Sequence, residues 1–453
     1  MKKTLSLVLF LLSLCLVIGA QAPRPAQGVP GGVPGGVSGT VTVLSGARQE
    51  TFDIVWRTVK EKHFDPTLGG VDWDKVRDQY VPLALSAKSD AEFYSVLRQM
   101  LGELHQSHFN IIPPEAVVDD DSPEPKGGSI GIDVRLVDGQ PIITRVEPGS
   151  SGANSGLRSG FIIKRIDDTN AEQILALFAK SKESEAMRTL RVTRAFMARI
   201  NGAPETKVRI AYLDERDQLR EVTVGREQLK GEMSQRLGNF PPQYTEFEAK
   251  RLAGNIGYIR FNIFVMMLMD RIRTAVRGMA DAPGLIIDLR GNPGGIGGMS
   301  YGIAGVLTNE PASLGSLRMR SGHQNYLINP QPNPYLGPVV IITDGGSAST
   351  SEIFAGGMQE LGRAVVVGER TAGAALPSII QKLPTGALFQ YAIADFRTPK
   401  GTLLEGRGVG PDREVKLTRR ALLEGRDPQL DAAIEQINKQ SKQRKAVAAR
   451  STF

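Results

Sequence analysis

Apolar residues follow three different patterns along the chain. Over residues 48–114 they recur with helical spacing. Phe52, Val55, Trp56 and Val59 stand at i, i+3, i+4 and i+7, and Phe93, Val96, Leu97, Met100, Leu101 and Leu104 repeat that period. Ser89-Asp90 ahead of the second run, with Glu92 behind it, reads as a helix start. Over 127–225 short apolar runs alternate with glycine-rich turns. Residues 129–134, 141–146, 161–166 and 208–212 predict strands, and 171–179 predicts a helix. Over 249–424 four bounded apolar runs, at 256–260, 284–289, 339–343 and 364–368, alternate with helical stretches. Such runs suit a sheet buried on both faces with helices between its strands.

The two ends read differently. Met1-Lys2-Lys3 is a positive start, and residues 5–18 form an apolar run shorter than a comfortable membrane span. Gly19-Ala20-Gln21-Ala22 then offers a cleavage site, so residues 1–20 are expected to be a signal peptide for export to the periplasm or outside the cell. If uncleaved, the same segment would be a membrane anchor. Residues 21–46 carry a Gly/Pro repeat that cannot bury a core and read as a linker. The only cysteine, Cys15, lies inside the apolar run, so the exported protein would use neither disulfide nor thiol chemistry.

Composition narrows the classes further. With 41% hydrophobic and 23% charged residues over 453 positions, the chain is globular rather than disordered or polytopic. Its net charge of +7 owes much to Lys2, Lys3 and a basic tail with Lys439, Lys442, Arg444, Lys445 and Arg450. No internal basic stripe with interleaved aromatics accompanies it, which argues against a nucleic-acid partner.

Candidate chemistry gathers where core strands end. After Leu289 comes Arg290-Gly291-Asn292-Pro293-Gly294-Gly295, whose glycines let backbone N–H groups approach a ligand. After Thr343 comes Asp344-Gly345-Gly346-Ser347-Ala348-Ser349-Thr350-Ser351-Glu352, leading into a helix predicted at 353–361. A serine at a strand-to-helix turn has the geometry an acyl-transfer nucleophile needs, yet Ser347, Ser349 and Ser351 also read as ordinary N-cap residues. No GxxxxGK[ST] phosphate loop occurs, and His105 and His108 lack the HExxH pattern or third ligand of a zinc site. Asp288 reads as structural, and Met266, Met267 and Met269 as core packing.

Taken in order, these motifs resemble a known family. The 127–225 segment resembles a PDZ domain, in which a peptide's last residues add a strand to a sheet edge. Its carboxylate-binding loop would fall at Gly128-Ser129-Ile130-Gly131, with Ser129, Ile130, Gly131 and Ile132 as the peptide-binding residues, although Phe161 stands where that family often has Asp. Val71-Asp72-Trp73, Ile256-Gly257-Tyr258-Ile259-Arg260, the two loops above, Gly368-Glu369-Arg370-Thr371 and Gly408-Val409-Gly410-Pro411-Asp412 complete a likeness to the C-terminal-processing (tail-specific) peptidases and their relatives, including the tricorn core. The resemblance implies a multidomain α+β fold. It would have a helical domain at 47–115, the PDZ-like β-rich domain at 127–225, a ClpP/crotonase-like α/β peptidase core at 249–424, and a C-terminal helix and basic tail at 425–453.

It also implies Ser349 as nucleophile, with Thr350, Gly294 and Gly295 forming the oxyanion hole. One departure bears on the mechanism. Where the processing branch carries a lysine general base, Thr371-Ala372-Gly373 is followed by Ala374, and Lys382 lies further along the chain. The tricorn-like branch uses histidine instead. His108 in Leu104-His105-Gln106-Ser107-His108 matches it, as does Glu405 ahead of Gly408-Val409-Gly410-Pro411-Asp412, with Ser107 linking the two. The resemblance thus implies a serine endopeptidase needing no cofactor and acting on C-terminal segments of proteins. The alternative is a non-catalytic binder of apolar ligands or peptides on the same fold.

Overall fold

Three helices, α1 (Gly39–Lys62), α2 (Trp73–Ser86) and α3 (Asp90–Gly102), pack around Phe52, Val55, Val59, Phe93, Leu97 and Met100. The computed structural model describes residues 39–114, 127–179 and 183–450. The expected signal peptide at 1–20 and the expected linker up to residue 38 lie outside the described residues, and α1 begins within the remainder of that linker. Asp72 caps α2 by accepting from the Lys75 N–H at 3.1 Å, and Ser89 caps α3 through the Glu92 N–H at 3.2 Å. Trp56 and Trp73 each donate their indole N–H to the other's backbone carbonyl, at 3.0 and 2.9 Å.

These helices share a core with the C-terminal half of the chain. The short strand Asn110–Ile112 pairs antiparallel with Leu388–Ala392, placing Ile111 opposite Phe389. Leu383, Ala387, Phe389 and Tyr391 of that hairpin complete the helical core. Arg320 donates to the carbonyls of Lys60, Glu61 and His63 at 3.1, 2.7 and 3.1 Å, satisfying orphan acceptors at the end of α1.

The β-rich segment is an antiparallel sheet in the order β1 (Ile132–Val137), β2 (Gln140–Val146), β3 (Ile162–Ile166), β4 (Lys207–Leu213) and β5 (Leu219–Gly225). Helix α4 (Ala171–Ala176) follows β3, and a longer helix, α5 (Glu185–Ile200), lies beside the edge strand β1. Phe161 stacks on Tyr212 with ring centroids 5.1 Å apart inside this small core.

The third part centres on a six-stranded sheet ordered β6 (Phe247–Arg251), β7 (Gly257–Phe261), β8 (Leu285–Asp288), β9 (Val339–Thr343), β10 (Val365–Gly368) and β11 (Arg413–Glu414). All neighbours from β7 onward are parallel, and β6 is antiparallel to β7. Burial on both faces explains why the inner strands β7–β10 are largely apolar at successive positions. Ile259, Ile287, Ile341 and Val366 face one core, while Tyr258, Ile286, Val340, Ile342 and Val367 face the other. Helix α6 (Thr350–Glu360) follows β9, and Phe354 and Met358 on it pack into the first core. The C-terminal helix α7 (Pro428–Arg450) covers the second face through Ala432, Ala433 and Ile437. From Ser45 onward the chain is one compact unit with a multidomain α+β architecture.

Two expectations need correction. The pattern predicts no helix at 185–200, where α5 stands. Of the three methionines read as core, Met269 is buried but Met266 is exposed. Phe389→Ala should cost about 3–5 kcal/mol, because a fully buried ring shared by helices and hairpin would leave a cavity. Denaturant unfolding measures this, and a loss below about 1 kcal/mol would mean that the two bodies are not joined through this ring.

Candidate functional site

Burial separates the three serines of the β9–α6 turn. Ser347 is fully buried; its Oγ donates to the Leu289 carbonyl at 2.7 Å and accepts from the Asp344 N–H at 3.1 Å. Ser351 is fully buried and donates to the Asn292 carbonyl at 2.9 Å. Both hydroxyls join the serine turn to the glycine loop. Ser349, between them, is only half-buried and sits at φ 55°, ψ −118°. A non-glycine residue adopts that conformation only where its surroundings enforce it, and strain of this kind gathers at functional turns.

The surroundings do enforce it. The Ser349 N–H donates to the Ala374 carbonyl at 2.8 Å and to Glu352 Oε2 at 2.9 Å. Asn292 joins the two loops, donating to the Phe261 carbonyl at 2.8 Å while its own carbonyl accepts from the Ala348 N–H at 3.0 Å. Asp344 Oδ1 accepts from the N–H groups of Gly291 and Gly346 at 2.9 and 2.8 Å, and the same carboxylate pairs with Arg135 of β1. At the end of β8, Asp288 is a structural anchor. Burial opposes its charge, but the Arg290 guanidinium beside it at 2.6 Å holds its carboxyl well below the usual carboxylate range.

Gly294 is required here: at φ 99°, a Cβ on it would lie 2.7 Å from the Ser349 Cβ. Its N–H, however, donates to Asn292 Oδ1 at 2.9 Å and is not free for a ligand. The expected oxyanion donors therefore narrow to Gly295 and Thr350, whose N–H groups have no acceptor among the described residues. The Thr350 hydroxyl donates to the Gly295 carbonyl at 2.9 Å, which holds the two donors side by side.

His108, Ser107 and Glu405 meet across the joint between helices and core. Ser107 Oγ lies 2.7 Å from His108 Nδ1 and 2.9 Å from Glu405 Oε2, and the Ser107 N–H donates to Glu405 Oε1 at 2.7 Å. A hydroxyl has one proton, and an ionised carboxylate can only accept, so Ser107 donates to Glu405 and accepts from His108 Nδ1–H. That assigns the imidazole tautomer and leaves Nε2 bare. Burial, aided by the positive charge of Arg194 on α5, pushes His108 down to about 4, so the ring is neutral near pH 7. Burial likewise raises the Glu405 carboxyl, against its three hydrogen bonds.

A single peptide unit connects this group to the serine turn. The Ala374 carbonyl accepts from the Ser349 N–H at 2.8 Å, and the N–H at its other end, that of Ala375, donates to Glu405 Oε2 at 2.9 Å. Among the described residues no hydrogen bond joins the Ser349 hydroxyl to the His108 ring. Lys382 is exposed on the hairpin strand opposite Leu388, and His105 and His323 are exposed elsewhere. His63 is buried and bonded through Nε2 to Gln106 Oε1 at 2.8 Å. No cluster able to hold a metal ion occurs among the described residues.

The loop expected to bind a peptide carboxylate is ordered by its own bonds. Gly131 N–H donates to Ser129 Oγ at 3.0 Å, and the carbonyls of Ile130 and Gly131 accept from Gly152 and Glu147 at 2.9 and 2.8 Å. Ile130 and Ile132 are buried in the small core. Three features go beyond the sequence reading. Leu190 and Met187 of α5 pack against Ala348, Ala372 and Ala374, directly beside Ser349. A cavity of about 350 Å³ separates β1 and α5 from the core loops at Gly291 and Gly345. The third feature is Glu352, whose place three residues after Ser349 marks it only as a capping glutamate.

Comparison with known proteins shows what the chain is similar to in sequence and fold. Residues 255–415 match the model of Peptidase family S41, and residues 46–102 match the tricorn protease C1 domain. A carboxyl-terminal-processing protease of Synechocystis is 26% identical over 80% of this chain and 79% of its own length. Among solved structures, the photosystem II D1 C-terminal processing protease superposes with a TM-score of 0.57 at 20% identity, over 85% of this chain and 99% of its own. Mature CPAF does so with a TM-score of 0.61 at 15% identity, over 88% and 97%. At these identities the structural likeness speaks for the fold.

Opposite stability effects should distinguish the serines. Ser347→Ala leaves a buried carbonyl and N–H unpaired and should lower the unfolding free energy by about 1–3 kcal/mol. Ser349→Gly relieves the strained φ and should raise it by about 1 kcal/mol. Thermal unfolding of both variants checks this, and a destabilised Ser349→Gly would show that the turn is not strained.

Proposed function

We propose that the chain is a tail-specific, C-terminal-processing serine peptidase related to tricorn, cleaving peptide bonds in C-terminal segments of proteins by Ser-His-Glu catalysis; the matches to Peptidase family S41 and the tricorn C1 domain support this reading. Ser349 is the nucleophile, His108 the general base, and Glu405, through Ser107, orients the imidazole. The observation that carries this reading is the place of Ser107 Oγ between Glu405 Oε2 at 2.9 Å and His108 Nδ1 at 2.7 Å, which supports a Ser107 proton directed to the carboxylate and a neutral ring with Nε2 as acceptor. Nε2 takes the Ser349 proton as Oγ bonds to the substrate carbonyl carbon. The negative charge that develops on the carbonyl oxygen falls to the Gly295 and Thr350 N–H groups. His108 then gives the proton to the departing amine as the C–N bond breaks, and water repeats the sequence on the acyl-enzyme. A methyl group stands at Ala374, so no amine serves as base there.

The edge strand β1, the helix α5 and the cavity they share with the core suit an extended peptide added as a further strand, with the 129–132 loop at its terminus. We read the six-stranded core as ClpP/crotonase-like and the boundaries 47–115, 127–225 and 249–424 as its domains. The 1–20 segment supports export to the periplasm or beyond, and among the described residues no helix is long and apolar enough to cross a membrane.

Ser349→Ala should abolish both hydrolysis and labelling by a fluorophosphonate, while His108→Ala should lower kcat about 10³-fold or more, since triad members act as a unit. Lys382→Ala should leave the rate unchanged. Labelling that survives in Ser349→Ala, or activity lost in Lys382→Ala, contradicts the assignment.

A further inference from the structure

The Glu352 side chain is fully buried on the first turn of α6, and every group within hydrogen-bond reach of its carboxylate is a neutral donor. Oε1 accepts from the Thr371 hydroxyl at 2.6 Å and the Gly373 N–H at 2.8 Å. Oε2 accepts from the Ala374 N–H at 2.9 Å and the Ser349 N–H at 2.9 Å. One carboxylate thus ties the backbone of the strained serine to the stretch that carries Ala374. In a chain with an alanine at 374, no ammonium from that position can neutralise it.

We propose that Glu352 is a positioning residue whose ionised carboxylate locks Ser349 in its reactive conformation, so that the same charge that enables catalysis weakens the fold. The inference rests on the peptidase reading above. Charge-assisted hydrogen bonds are roughly twice as strong as neutral ones, so protonation loosens all four contacts together. Only the Thr371 hydroxyl could turn to accept a proton from Glu352, and it already accepts from the Val409 N–H at 2.7 Å. The other three partners are N–H groups that cannot accept. Glu405 lies across the Ala374–Ala375 peptide unit from Glu352, and His108 lies beyond Glu405 through Ser107.

The two consequences have opposite signs. Burial pushes Glu352 up to about 7, against its four hydrogen bonds, from an ordinary value of 4.5. Its contribution to stability is therefore present below about 4.5 and is lost as pH rises toward 7, because folding then holds a proton that the unfolded chain has released. Activity runs the other way, rising as Glu352 ionises. Its midpoint near 7 is distinct from the one near 4 that His108 would give.

The experiment compares wild type, Glu352→Gln and Thr371→Val for the pH dependence of fluorophosphonate labelling, kcat and KM on a fluorogenic peptide, and Tm from pH 5 to 8. Wild type should show an acid limb near pH 7 in kcat and labelling. Glu352→Gln, whose amide must face at least one N–H donor, should lose about 100-fold in kcat with KM little changed and should lack that limb. Thr371→Val removes one donor to the anion and should move the limb to higher pH, which keeps the test open if the glutamine variant does not fold. The Tm of wild type relative to Glu352→Gln should fall from pH 5 to 8. A wild-type rate flat across pH 6–8, a limb unchanged in either variant, or a Tm difference independent of pH overturns the proposal. A wild type that never takes label counts against the peptidase reading instead, and the Tm comparison then decides the ionisation lock alone.

Discussion

One hydroxyl proton fixes the chemistry of the whole site. Ser107 lies between Glu405 Oε2 at 2.9 Å and His108 Nδ1 at 2.7 Å, and it can donate to only one of them. A carboxylate leaves no choice of direction. The imidazole must then donate from Nδ1 and keep Nε2 open, so the tautomer needed for proton abstraction is set by a neighbour rather than by the histidine itself. The fold, in turn, keeps the three groups in contact. Pairing of Asn110–Ile112 with Leu388–Ala392 carries the 107–108 corner to the core, and the Ala374–Ala375 peptide unit spans the gap between Glu405 and the serine turn.

Much of the scaffold can be read from the sequence because its burial is simple. The run at 339–342 is apolar at every position because both faces of the central strand are covered, and β9 occupies those residues together with the buried Thr343. The helix α5 is harder to read because it serves two cores. Val192, Phe196 and Ile200 face the small β-rich core, while Met187 and Leu190 turn toward the serine loop, with arginines between them. No single apolar stripe results. By spacing alone the three serines look alike and only the family resemblance points to Ser349; in the structure, burial separates Ser347 and Ser351, which join the two loops, from the half-buried Ser349.

The site illustrates how far local motifs reach. Gly294 and Gly295 stand side by side in sequence, yet one N–H is taken by Asn292 and the other has no acceptor among the described residues. Glu352 looks like one end of a capping box and does accept from the Ser349 N–H, but its remaining bonds run to Thr371, Gly373 and Ala374. Such reach depends on how turns fold back on one another, which residue spacing does not encode. The alanine at 374, by contrast, is legible once the family resemblance is drawn: it stands where the processing branch carries its lysine base, a methyl group accepts no proton, and the resemblance to the tricorn-like branch turns the search to the histidine.

The most direct test of this account is the protonation of His108, observed by ¹⁵N NMR on protein labelled at its four histidines, with His108→Ala used for assignment. The account predicts a neutral ring at pH 7 carrying its proton on Nδ1, with Nε2 unprotonated. A resonance showing the proton on Nε2, or an imidazolium at that pH, would contradict it.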